Sequence, residues 1–130
     1  MLTRRIFAFG VAAAGFTSAA PGHAASAHDF DAKAFADAQQ AGRPIFIAIH
    51  ARCCPVCLVQ KLIVNALLLD RKYDGLIYFV ADFDRQKYQV RQFGVLKQST
   101  LIVFRGRYER GRSTGETNHE SIAELMARLL

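Results

Sequence analysis

No stretch of this chain is both long enough and apolar enough to cross a membrane as a helix. The small-residue, apolar run from Ile6 to Ala20 is shorter than the ~20 residues a spanning helix needs, and it is rich in Ala and Gly. There is no internal repeat, no low-complexity segment after that Ala-rich start, and no recognisable nucleic-acid-binding motif, so nucleic acid is not an expected partner. Cysteine is scarce. The three residues of this type all lie between His50 and Cys57, and the short loop they could close would stabilise little as a static crosslink. What remains is a composition of 52% hydrophobic and 22% charged residues over 130 positions, which suits one globular domain.

The start of the chain reads as an address. Arg4 and Arg5 precede the apolar middle, and Pro21-Gly22 break it before a run of small residues, which is the layout of an export signal. Thr3-Arg4-Arg5-Ile6-Phe7 suits the twin-arginine form as well as the ordinary secretory one. Cleavage after Ala27 or after Ala24 fits the small residues there, and the first choice makes residues 1–27 the signal and residues 28–130 the domain. Loss of the two arginines lowers the net charge from +6 to about +4. Arg105, Arg107, Arg110 and Arg112 cluster near the C-terminus, and they read as charge that protects an exposed sheet edge.

Along the domain, Asp31 is placed to cap a helix through Ala41, with Phe35 and Ala38 inward and Gly42 ending it. Pro44-Ile45-Phe46-Ile47-Ala48-Ile49 is nearly all apolar, as a strand buried on both faces would be, and it runs to about Ala51. A second helix is predicted from about Cys54 to Leu69, with Pro55 in the first helical position, then a polar exit loop from Asp70 to Gly75. Leu76 to Phe83 is a second strand, parallel to the first through a right-handed crossover. Gln86 to Phe93 is a short helix. Thr100 to Phe104 and Tyr108 to Thr114 form a hairpin around Gly106, and His119 to Leu130 closes the chain as an amphipathic helix. The predicted class is α/β, a four-stranded mixed sheet with helices on both faces.

The cysteines therefore sit where the first strand hands over to a helix. A thiol attacks a disulfide only as thiolate, and the unsatisfied N–H groups of a helix N-terminus lower the pKa of a cysteine placed there. Cys54 has that place, with Arg52 adding positive charge. Cys57, one turn on, shares its face and can meet it in a disulfide. Cys54 is the candidate nucleophile and Cys57 the candidate resolving thiol; no cofactor is required. Cys53 is an extra thiol. Together with His50, Cys54 and Cys57 it forms an alternative ligand set for Cu(I) or Zn(II) in a metal carrier.

With Cys54-Pro55-Val56-Cys57 at the first strand-to-helix junction, the chain resembles the thioredoxin family. The other matching pieces are Pro44-Ile45-Phe46-Ile47, Phe83-Asp84, Phe93-Gly94-Val95, Ser99 to Phe104, and Gly115 before the last helix. The resemblance implies the thioredoxin fold, thiol:disulfide exchange, and a substrate-facing loop at Gln98, Ser99 and Thr100. It also implies a buried carboxylate where this chain has Ala48, a lysine where it has Val80, and a cis-proline where it has Ser99. A trans bond is expected before Ser99, since a cis bond to a residue other than proline costs ~2.5–4 kcal/mol. His50 is a possible substitute base, against the simpler role of a packed imidazole at the strand end. The expectation is a periplasmic thiol:disulfide oxidoreductase acting on protein or small-molecule disulfides, coupled to a membrane electron donor or acceptor. The alternatives are the metal carrier and a redox-silent binding module.

Overall fold

The computed structural model describes Gly15 and residues 25–130. The predicted signal, residues 1–27, thus lies almost wholly outside the described residues. At the centre of the fold is a strand, β2 (Pro44–His50), whose side chains divide the core in two. Ile45, Ile47 and Ile49 point to one face and Phe46 and Ala48 to the other. Both faces are covered, which is why this strand is continuously apolar and shows no alternation.

Two helices cover the Phe46 face. From α2 (Pro55–Leu67) comes Val64, and from α4 (His119–Ala127) come Ile122, Leu125 and Met126. The isoleucine face carries α1 (Ala32–Gln40) and α3 (Lys87–Gln92), which contribute Ala38 and Val90. There Phe30, Phe35, Phe79, Phe93 and Phe104 form a cluster of edge-on and tilted rings with centroids 5.3 to 6.3 Å apart. Asp31 caps α1 as its position predicts, its carboxylate accepting the Ala34 N–H at 2.7 Å. Asn118 does the same for α4.

The sheet has five strands and not the predicted four. Its order is β1-β3-β2-β4-β5, with β1 (Ala27–Asp29), β3 (Ile77–Asp82), β4 (Thr100–Arg105) and β5 (Tyr108–Thr114). β3 runs parallel to β2 through α2 and β5 returns antiparallel to β4, both as expected, and β4 lies antiparallel to β2. β1 is the addition. Its three residues are exposed and carry no apolar alternation, so nothing local marks them as a strand. They become one by pairing in parallel with Tyr78, Phe79 and Val80, closing an edge that would otherwise present unpaired backbone groups.

Two smaller corrections concern α2 and its exit. The helix ends at Leu67, and the loop after it contains a 3-10 turn, Arg71–Tyr73, that buries Tyr73 against the Phe46-side core. At the opposite edge β5 is mostly exposed, and Arg112 of the arginine cluster is paired with Glu109. Gly106 makes the hairpin turn at φ 58°, and a Cβ there would come within 3.2 Å of the Gly42 backbone. Glycine meets both demands.

Tyr78 sits on β3 among the Phe46-side core residues, 2% exposed, and burial pushes its phenol up to about 12. Because the folded value lies above the unfolded one of about 10, the stability tied to the neutral phenol is intact below about pH 10 and is lost as pH rises toward 12. Tyr78→Phe removes that dependence. In urea melts between about pH 9 and pH 11, the variant should lose about 1 kcal/mol less stability than the parent. Equal losses would show that the phenol ionises freely in the folded protein.

Candidate active site

β2 ends at His50, and Ala51 to Cys53 make the turn into α2. Cys53 adopts a left-handed conformation, φ 54°, and is exposed. The next residue returns to an extended conformation and becomes the N-cap: Cys54, at φ −104° and ψ 102°, with Pro55 in the first turn, as the sequence predicts. The Cys54 sulfur accepts the N–H of Cys57 at 3.2 Å, the bond an N-cap oxygen ordinarily takes. Cys54 and Cys57 are joined as a disulfide with their Cα atoms 5.3 Å apart. Cys54 is half-buried and Cys57 is 3% exposed.

Ser99 lies against both sulfurs. Its hydroxyl is 3.2 Å from Cys54 Sγ and 3.1 Å from Cys57 Sγ, and the residue is 5% exposed. The backbone of Ser99 is held at φ 62°, a left-handed conformation that costs a residue with a Cβ about 1–2 kcal/mol. Three bonds hold it there. Its N–H donates to Ile49 O at 2.8 Å, and its carbonyl accepts from Gly115 N at 2.9 Å and from Gln60 Nε2 at 3.0 Å. No cis peptide bond occurs among the described residues, in keeping with the trans bond expected before Ser99.

Gln60 was not singled out by the sequence. It is 3% exposed, and its amide nitrogen donates to the carbonyls of both Ser99 and Glu116, tying α2 to the loops before β4 and after β5. A signal was available. Cys57, Gln60 and Val64 lie three and four residues apart on the buried stripe of α2, and a glutamine on such a stripe needs partners.

Of the other predicted site residues, Gln98 is exposed in the loop. Thr100 is buried at the start of β4, and its hydroxyl is engaged with Lys97 O and Thr114 Oγ1, both at 2.9 Å. Arg52 is exposed and close enough to Asp82 to help lower that carboxyl's pKa, behind the larger effect of the Arg85 and Asp84 N–H groups. Its charge therefore acts on Asp82, which the sequence did not point to. His50 is half-buried opposite Asp82 in the parallel register, its carbonyl taking the Phe83 N–H.

The alternative ligand set is not assembled. Among the described residues no three His, Cys, Asp or Glu side chains gather where a metal ion could sit. The left-handed turn at Cys53 leaves that thiol exposed while Cys57 is buried.

Ala48 and Val80 are direct partners across the β2–β3 ladder, so the two positions where the family resemblance implies opposite charges do face each other. Both line a cavity of about 230 Å³ that reaches Cys57 and Gln60. Its lining also brings His28, Asp29, His50 and Lys61 to the same space.

The fold and the paired cysteines define a thioredoxin-fold protein with a redox-type Cys-x-x-Cys centre. No protein-family model matches the sequence, and no curated protein does. Among solved structures, Trxlp from Edwardsiella tarda EIB202 is 35% identical, with a TM-score of 0.75 over 78% of this chain and 98% of that one. The chain belongs to the thioredoxin-like family, and its Cys54–Cys57 pair is that of a thiol-disulfide oxidoreductase. Reduced thioredoxin pre-protein from Schistosoma mansoni is 17% identical, with a TM-score of 0.62 over 80% of this chain and 96% of that one. Thioredoxin from Malassezia sympodialis is 13% identical, with a TM-score of 0.69 over 82% and 95%. At these identities the likeness is one of fold.

The conformation of Ser99 makes the family's proline a poor replacement in this chain. Proline fixes φ near −65° and has no N–H, whereas Ser99 has φ 62° and donates to Ile49. Ser99→Pro should destabilise the protein by about 3 kcal/mol, measured by urea denaturation. A variant as stable as the parent would show that the loop rebuilds readily around a different backbone.

Proposed function

We propose that this chain is an exported thiol:disulfide oxidoreductase of the bacterial periplasm. Cys54 attacks a substrate disulfide or releases one, and Cys57 resolves the mixed disulfide. The observation that carries the assignment of roles is the difference in exposure at the helix start. Cys54 is half-buried at the N-cap, with a backbone N–H on its sulfur, while Cys57 is covered. The accessible sulfur at the helix start meets substrate first; the covered one can reach only a sulfur already bonded to Cys54.

In the reductive direction, the Cys54 thiolate bonds to one substrate sulfur and the other leaves as thiolate. Cys57 then attacks Cys54 Sγ, the second substrate thiolate leaves, and the protein disulfide forms. Two electrons pass to the substrate, and the Cys57 proton is released or taken up by a departing thiolate. With Ala48 and Val80 in place of charged groups, that proton has no buried carboxylate to accept it. The cavity beside Cys57 is large enough for several water molecules, each of which occupies roughly 30 Å³ in the liquid. His50 and Lys61 in its lining provide polar partners for such a water path.

Substrates are protein or small-molecule disulfides and dithiols. A membrane electron donor or acceptor completes the cycle, because the periplasm has no thiol buffer of its own. For export, cleavage after Ala24 fits better than cleavage after Ala27, since it keeps β1 whole and retains Ala25, which packs on the Phe46-side core.

Cys57→Ala, in a Cys53→Ser background, should capture periplasmic partners on Cys54 as adducts that dissolve with reductant, seen on non-reducing gels. Cys54→Ala in the same background should capture none. If the first variant yields no adducts, the oxidoreductase assignment fails. Intact-mass measurement of the mature protein recovered from the periplasm should give a chain beginning at Ala25, and a mass beginning at His28 would assign cleavage to Ala27.

A further inference from the structure

Ser99 stands where the family resemblance implies a proline, yet it brings something proline lacks. Its hydroxyl is within hydrogen-bond distance of both redox sulfurs, at 3.2 and 3.1 Å, and the bonds to Ile49, Gly115 and Gln60 fix the backbone that carries it. A hydroxyl has one proton to give and lone pairs to receive with. Between two thioether-like sulfurs of a disulfide, it finds two weak acceptors and can donate to only one.

Reduction changes what it can do. When two substrate thiols reduce the pair, the Cys54–Cys57 bond breaks and a substrate disulfide forms. The protein receives two electrons; one proton stays on Cys57 and the other is released as Cys54 remains a thiolate. The Cys57 thiol can now donate to Ser99 Oγ while the Ser99 hydroxyl donates to the Cys54 thiolate. One weak bond is replaced by two, one of them to an ionised acceptor, which is the stronger kind.

We propose that Ser99 is a catalytic residue that selectively holds the reduced state, through a chain running from the Cys57 thiol to the Ser99 hydroxyl to the Cys54 thiolate. The proposal rests on the dithiol chemistry assigned above. Its consequence is directional. Whatever stabilises the dithiol over the disulfide makes the disulfide a stronger oxidant, so Ser99 biases the pair toward accepting electrons. The left-handed backbone at Ser99 fits this role. Glycine would adopt φ 62° without strain, but it has no hydroxyl to place between the sulfurs.

The test compares Ser99→Ala and Ser99→Gly with the parent, all in a Cys53→Ser background so that only two thiols respond. Two quantities are read: the Cys54 thiolate absorbance near 240 nm as a function of pH, and the position of equilibrium with reduced and oxidised glutathione. His28, Asp29, His50 and Lys61 around the cavity and Arg52 before the helix are unchanged in every variant, so a shift reports the loss of the hydroxyl.

Both variants should hold roughly tenfold less thiolate at a given pH below the titration midpoint. Both should also shift the dithiol–disulfide equilibrium about tenfold toward the disulfide, which for a two-electron couple is about 30 mV. Should Ser99→Ala fail to fold, Ser99→Gly still decides, because its backbone is unstrained there. If the variants titrate and equilibrate like the parent, Ser99 is only a structural filler and the proposal is overturned. If the parent itself does not exchange with glutathione, the oxidoreductase assignment fails and this inference with it.

Discussion

The Cys57 N–H bound to the sulfur of Cys54 is the contact on which the site depends. It makes a cysteine the cap of α2, and so places the sulfur in the field of a helix start with no oxygen cap to compete for it. The rest of the fold supplies the conditions for that bond. β2 is buried on both faces and cannot shift by one residue without turning three isoleucines into the wrong layer. Its end is therefore fixed, and the turn through Cys53 begins from a rigid point. Val64 at the far end of the same helix is fully buried against the Phe46-side core, which sets the angle at which the cap is presented.

The second anchor is the loop before β4. β4 pairs with β2 through Ile49 and Thr100, so the residue before Thr100 falls beside the cysteine turn by register. Gln60 then ties that residue to α2 from below, and Gly115 ties it to the chain after β5. Ser99 is thus fixed from three elements, and its strained φ persists because the surroundings determine it several times over. A residue held this firmly beside two sulfurs can tune them without moving. In the same region, where the family resemblance implies a buried charge pair, Ala48 faces Val80 beside a cavity. Loss of both charges together leaves neither one buried alone, the costly outcome for an ion pair.

Much of this was legible in the chain itself. The apolar run from Pro44, the Cys-Pro-Val-Cys turn, the cap at Asp31, the proline in the first turn of α2 and the period of the last helix depend on neighbours a few residues away, and those elements begin where such patterns put them, although the last helix stops at Ala127 and not at Leu130. The pairing of Ala48 with Val80 came from the family resemblance, which places a carboxylate and a lysine at those two positions, and the β2–β3 register puts the two residues opposite each other. β1 was not legible, because Ala27, His28 and Asp29 are exposed and take strand form only by bonding to the edge of β3. Nor was the burial of Tyr73, which follows from where the loop after α2 lands on the core.

The chain alone placed two thiols on one face of a helix start, because capping and a spacing of three are local properties, and the family resemblance added the expectation of thiol:disulfide exchange. What surrounds that pair comes from distant parts of the chain. Ser99 is 45 residues from Cys54 along the chain and 3.2 Å from it in space, and Gln60 meets Ser99 and Glu116 across separations of 39 and 56 residues. Contacts of that range are set by sheet register and helix docking, which no window of neighbouring residues encodes. The gathering of His50, Cys53, Cys54 and Cys57 into a ligand set looked open on spacing alone; the left-handed turn at Cys53 settles where that thiol goes.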